Sequence, residues 1–197
     1  MGKAIRSEMK IVEEPQKTLS MHPKKFAMWL FMVTVMMLFA GLTSAYIVRQ
    51  ADGNWRYFDL PPMFYYTTVI IIVSSVTMQM AYFAAKKNNT SLLKMMVTVT
   101  AVLGIAFLIG QVVAWGQLVD ISAHFVGNPS GGFVYVLTGV HGAHIISAII
   151  FLVVVLNSAY KLRINSKNMA QMEMCTTYWH FLGILWVYLL LFLLFFR

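Results

Sequence analysis

Residues 133–160 read FVYVLTGVHGAHIISAIIFLVVVLNSAY, a run without a single Asp, Glu, Lys or Arg. A helix needs about 20 such residues to cross roughly 30 Å of hydrocarbon, so the segment predicts a membrane span. Four more charge-free stretches reach that length, at about 26–48, 62–85, 95–119 and 174–196. A membrane barrel would need segments of about ten residues alternating apolar and polar side chains. Runs such as Val69-Ile70-Ile71-Ile72-Val73 are apolar throughout. The fold class is therefore all-α, an integral membrane bundle of five transmembrane helices.

Composition agrees. Of 197 residues, 59% are hydrophobic and only 11% charged, which excludes an ordinary soluble domain. The first apolar stretch follows a polar segment of about 25 residues and lacks a small-x-small cleavage site, so it is expected to stay in the membrane rather than be removed as a signal sequence.

Twelve of the fifteen basic residues fall in the N-terminal segment (Lys3, Arg6, Lys10, Lys17, Lys24, Lys25), the second-to-third loop (Lys86, Lys87, Lys94) and the fourth-to-fifth loop (Lys161, Arg163, Lys167). Only Arg49, Arg56 and Arg197 fall on the other side. Positive charge accumulates on the cytoplasmic side of membrane proteins, which predicts a cytoplasmic N-terminus and an external C-terminus. The same rule accounts for the net charge of +8, and no nucleic-acid partner is expected because no nucleic-acid-binding motif accompanies the charge. The single cysteine, Cys175, has no intramolecular disulfide partner.

Residues 1–25 mix Lys and Glu, and Pro15 and Pro23 interrupt helical continuity, so a flexible cytoplasmic tail is expected there, followed by one transmembrane domain over 26–197. Turn chemistry is read at Asp52-Gly53-Asn54 and at Asn128-Pro129-Ser130-Gly131-Gly132. Small residues recur at helical packing intervals: Gly41 with Ser44 and Ala45, Ser74 and Ser75 with Met78, Gly139 with Gly142. Such ridges let helices approach closely in lipid.

Two polar clusters interrupt the apolar spans, Thr138-Gly139-Val140-His141-Gly142-Ala143-His144 and Tyr178-Trp179-His180-Phe181. Imidazoles and hydroxyls are costly in hydrocarbon unless partnered, so these residues are expected to face protein. His141 and His144, three apart, share a helix face with Thr138. A rise of about 1.5 Å per residue sets the two histidines roughly 12 to 17 Å below one boundary and His180 roughly 9 Å from the other, depths that allow the clusters to meet.

Paired imidazoles could ligate haem, but histidines three apart on one helix cannot take opposite sides of one iron. Zinc or copper wants three or four ligands, and no carboxylate or second thiol accompanies these three histidines. The expected role is structural, with no catalytic, cofactor-binding or metal residue in the chain; His22 and His124 fall in loops or at boundaries. Every acidic residue (Glu8, Glu13, Glu14, Asp52, Asp59, Asp120, Glu173) lies at an end or in a loop, which leaves no carboxylate for a proton wire. Thr67, Thr68, Ser74, Ser75, Thr77, Gln79 and Gln111 are expected to tie helices together at about 0.5 to 2 kcal/mol each.

These residues resemble the subunit III family of haem-copper terminal oxidases (cytochrome c and quinol oxidases), in its five-helix bacterial form. The resemblance covers about residues 24–197. It rests on Phe133-x4-Thr138-Gly139-x-His141-Gly142-x-His144 and on Tyr178-Trp179-His180-Phe181 followed by Trp186. Weaker matches follow in order: Phe39-Ala40-Gly41 to Ala45-Tyr46, Ser74-Ser75-Val76-Thr77, and Gly104-x2-Phe107-Leu108-x2-Gln111 with Trp115. The chain departs from the family at Val35, Ala114 and Gly183, where many members carry carboxylates.

The resemblance implies a non-catalytic subunit of a proton-translocating oxidase that reduces oxygen to water, in the bacterial inner membrane. Haem and copper would lie in the partner catalytic subunit, the partners would be subunits I and II and membrane phospholipid, and a larger respiratory supercomplex would be compatible. Thr138, His141, His144, Tyr178, Trp179, His180, Gln111 and Trp115 would form structural polar clusters or subunit and lipid interfaces. The electron donor, the haem type and the stoichiometry would be set by the partners. Two alternatives accompany this reading: an accessory membrane protein of a nitric oxide reductase system, and a small multi-span transporter, the latter disfavoured by the absence of repeats and of intramembrane charge.

Overall fold

A computed structural model describes residues 23–51, 55, 58–120, 129–161 and 169–196. His22, His124, Asp52-Gly53-Asn54 and the expected tail up to residue 22 lie outside the described residues. The rest forms five helices: α1 (Pro23–Ala51), α2 (Met63–Lys86), α3 (Thr90–Asp120), α4 (Pro129–Tyr160) and α5 (Ala170–Phe195). All five are long and apolar enough to cross a membrane, and among the described residues there is no strand.

The helices start and stop where the backbone chemistry asks them to. Pro23 and Pro129 open α1 and α4, and Pro62 immediately precedes α2; proline suits a first turn because the N–H it lacks would have no intrahelical partner. Pro129-Ser130-Gly131-Gly132, read from sequence as a turn, forms the first turn of α4 instead. The short link from α2 to α3 turns at Asn88, whose φ of 55° is a left-handed conformation that asparagine tolerates. The Asn88 and Asn89 amides return to the Ala85 and Ala84 carbonyls, and the Asn89 side chain then accepts from the Leu92 amide, capping α3.

Packing follows a closed order. α2 packs on α3, α3 on α4, α4 on α5 and α5 back on α2, while α1 rests on α4 and α5 without touching α2. α5 is the hub: 56% of its apolar window is buried inside the protein, against 22–33% for the other four helices. Helices apolar on every side do not reveal their buried face by periodicity, so polar and small residues decide it. A Cβ at Gly104 would lie 2.7 Å from Trp179 Cη2, and one at Gly110 would lie 2.5 Å from Thr67 Cγ2; the first glycine makes room on α3 for the Trp179 ring and the second lets α3 close on α2. Gly41, Ser44 and Ala45 do not pack within the bundle as their spacing suggested: they lie on the exposed face of α1, with nothing within 4 Å of a Cβ at Gly41.

Exposed aromatic residues sit toward both ends, Trp29 and Tyr160 at one and Tyr65 and Tyr66 at the other, where membrane interfaces favour amphipathic rings. Lys25 at the start of α1 pairs with Glu173 in the first turn of α5, and Tyr46 and Gln50 at the far end of α1 donate to the Phe196 carbonyl. Helices α1 and α5 therefore run parallel.

Candidate functional site

The eight polar residues singled out from sequence do not converge on one point. Six of them, all but His141 and His144, make ties between neighbouring helices. On α3 and α4, Trp115 Nε1 donates to Thr138 Oγ1 at 2.9 Å, and Tyr135 OH donates to the Trp115 carbonyl at 3.2 Å. On α2 and α3, Gln111 Nε2 donates to Thr67 Oγ1 at 3.0 Å, and the Thr77 and Thr100 hydroxyls meet at 2.8 Å. On α2 and α5, Trp179 Nε1 donates to Ser74 Oγ at 3.1 Å, Trp186 Nε1 to Thr68 Oγ1 at 2.9 Å, and His180 Nε2 lies 3.0 Å from Gln79 Oε1.

The two histidine-bearing clusters do meet, but through a phenol rather than through imidazoles. Tyr178 OH lies 2.7 Å from Ser147 Oγ and 3.4 Å from the His144 carbonyl oxygen. His144 turns its own ring to its helix: Nδ1 lies 2.7 Å from the Val140 carbonyl, and since a carbonyl only accepts, Nδ1 carries the proton. Ser147, one turn beyond His144, was not singled out from sequence; its position on the His144 face was the signal that could have marked it.

His141 differs from both. It is fully buried, and neither ring nitrogen has a hydrogen-bond partner. Its neighbours are rings, with centroids 5.2 Å away at Trp186, 6.0 Å at Phe107 and 6.3 Å at Phe39. The edge-on rings of Phe107 and Phe39 offer weak dipolar contacts in place of hydrogen bonds. His144 bonds its own backbone, His180 lies on Gln79 and His141 has no hydrogen-bond partner, so no two imidazoles share a polar partner, although the Phe39 ring packs against both His141 and His144. Among the described residues, no three His, Cys, Asp or Glu side chains gather as metal ligands.

Val35, Ala114 and Gly183, the three departures noted with the resemblance, lie in apolar or close-packed surroundings. Val35 and Ala114 are buried in the apolar core. Gly183 lines a groove between α2 and α5, where a Cβ would lie 3.1 Å from Ser75 Oγ. Tyr82, Glu173 and Thr176 were not among the candidate residues; they come together with Gln79 and His180 only through the pairing of α2 and α5, and Lys25 of α1 pairs with Glu173.

A bundle of five helices, each long and apolar enough to cross a membrane, defines a polytopic helical membrane protein. The chain belongs to the cytochrome c oxidase subunit III family, whose model matches residues 4–197. It is 24% identical over 181 residues to cytochrome c oxidase subunit 3 of Bacillus sp. (strain PS3), covering 89% of this chain and 87% of that protein. It is 23% identical over 171 residues to a probable quinol oxidase subunit 3 of Staphylococcus saprophyticus, covering 84% and 85%. A 94-residue match to the cytochrome bo(3) ubiquinol oxidase subunit 3 of Buchnera aphidicola, 32% identical, covers 44% of this chain and about half of that protein, at 48%.

Proposed function

We propose that this chain is the non-catalytic third subunit of a haem-copper oxidase that reduces oxygen to water and conserves the energy as a proton gradient. The family match over residues 4–197 carries the reading. The site geometry supports a supporting role, because the intramembrane hydroxyls, amides and indoles of the described residues are largely paired between helices or with their own backbone. In this reading haem and copper belong to the catalytic subunit, subunits I and II are the partners, and the chain covers one face of the catalytic subunit while holding phospholipid in its grooves. The N-terminus lies on the cytoplasmic side of a bacterial inner membrane, in keeping with Lys24, Lys25, Lys86, Lys87, Lys94 and Lys161 at one end of the bundle.

Deletion of the chain tests the supporting role. The haem spectrum of the remaining oxidase should stay intact while the enzyme loses activity after fewer turnovers; an unchanged working life would contradict it.

A further inference from the structure

The most buried helix keeps one face open. From Glu173 onward, every residue of α5 that is not buried falls on a single stripe, and its exposed members, Ile184, Tyr188, Leu191 and Phe195, follow one another at spacings of four, three and four. That alternation is the seam by which two helices interlock their side chains along their length. Grooves flank the stripe on both sides. The one toward α2, of about 790 Å³, is walled by Ile72, Val76 and Val187, and the one toward α1, of about 490 Å³, by Met36, Ala40 and Phe181; Ile184 and Tyr188 form the ridge they share. Helices α1 and α2 do not touch each other, so the ridge stands on the floor of a trough between them.

The stripe is as long as a bilayer is thick. From Glu173 to Phe195 it rises roughly 33 Å along α5, against about 30 Å of hydrocarbon. An acyl chain belongs to one leaflet and covers about half of that length, whereas one transmembrane helix covers all of it. Charge then selects the end. Lys24, Lys25, Lys86, Lys87, Lys94 and Lys161 gather at one end of the bundle, and among the described residues Glu173 is the one acidic side chain there. Membrane helices carry Lys and Arg on the same side of the membrane as those lysines, so an arriving helix brings its basic end to a surface that repels it except at Glu173. Lys25 takes one oxygen of that carboxylate, Oε2. Glu173 also lines a polar pocket of about 350 Å³ that shares Gln79 and His180 with the α2 groove, and in it the buried Thr176 hydroxyl has no hydrogen-bond partner. A hydroxyl left that way costs free energy that an incoming N–H donor recovers.

We propose that this trough seats one transmembrane helix of another subunit, with a lysine or arginine at its end beside Glu173 and Thr176. Facing the bulky Ile184, Tyr188 and Leu191, the guest helix carries small residues at the same alternating spacing, which lets the two backbones approach closely in lipid. It lies along α5 between α1 and α2, and covers the one face of α5 that the bundle itself leaves open. The proposal deepens the subunit association in the proposed function and rests on that part of it.

The test replaces Ile184 or Leu191 of the full chain with the photoreactive residue benzoylphenylalanine, in membranes of cells that assemble the complex. Irradiation should join the chain to one transmembrane segment of another subunit, identified by mass spectrometry of the joined peptides, with Lys or Arg at its end on the side of Glu173. In detergent diluted until about half of the crosslink is lost, adding Glu173→Gln should lower the yield about threefold further, the worth of a part-exposed ion pair. Lys25→Met breaks the same pair within the chain but keeps the carboxylate, so its yield should equal or exceed that of the chain with the photoreactive residue alone. Attachment to lipid alone, attachment to a segment without a basic end, or a yield unchanged by Glu173→Gln would overturn the proposal. A chain that purifies with no other subunit contradicts the proposed function and the proposal with it, whereas a complex that purifies intact without the crosslink contradicts the proposal alone.

Discussion

At the scale of single residues, the imidazole of His141 and the hydrogen atom that serves as the side chain of Gly104 make opposite predictions. His141 is buried among Phe39, Phe107 and Trp186 with both nitrogens unpartnered, so replacing it with an apolar side chain removes an unsatisfied group. The variant His141→Leu should unfold in mixed-micelle denaturation at the same denaturant level as wild type or higher. A large loss of stability would show that the imidazole makes a polar contact in the membrane. Gly104→Leu should do the reverse, since even its Cβ would press on the Trp179 ring; a cost of about 1 to 3 kcal/mol follows from overpacking. The control Gly41→Ala, where a Cβ meets nothing within 4 Å, should stay within about 0.5 kcal/mol of wild type. Which polar residue pairs with which was not legible beforehand. Pairing depends on how each helix is rotated about its axis, and a helix apolar on all sides leaves that rotation unmarked until its neighbours are placed.

At the scale of helices, the spans could be read because charge-free length is a direct requirement of the bilayer. The ends moved outward at most positions, and for local reasons. α3 begins at Thr90 rather than near 95 because Asn89 caps it, and α4 begins at Pro129 rather than 133 because proline and small residues fit a first turn. α1 begins at Pro23, so Lys24 and Lys25 of the expected tail are helical and Lys25 reaches Glu173. α1 is also the least tied helix. It touches α4 and α5 only, its Lys25–Glu173 pair is about a third exposed, and its Thr43 receives the Tyr188 hydroxyl at 3.3 Å. An exposed pair of this kind contributes up to about 1 kcal/mol and weakens with salt. Hydrogen exchange in detergent should therefore open α1 before α5, and Lys25→Met should widen that difference at low salt; equal protection of the two helices would contradict the packing order.

At the scale of the whole molecule, the bundle is a closed ring of four helices with α1 laid across α4 and α5, and its polar chemistry is largely spent on holding that arrangement. The ordered motifs around His141 and His180 were legible as a family signature, and the family match over residues 4–197 agrees with them. The groove between α2 and α5 was not legible, because Gln79, Glu173 and Thr176 come from distant parts of the chain and none is unusual at its own position. The central claim, that this chain is a colourless supporting subunit of an oxygen-reducing complex, is tested most directly by purification through an N-terminal tag in gentle detergent. The eluate should be analysed by mass spectrometry, optical spectroscopy and oxygen uptake. Co-elution with a large haem-copper subunit, a haem spectrum belonging to that partner, and oxygen consumption are the predicted result. A colourless chain eluting alone, or one bringing down a nitric oxide reductase, would contradict it.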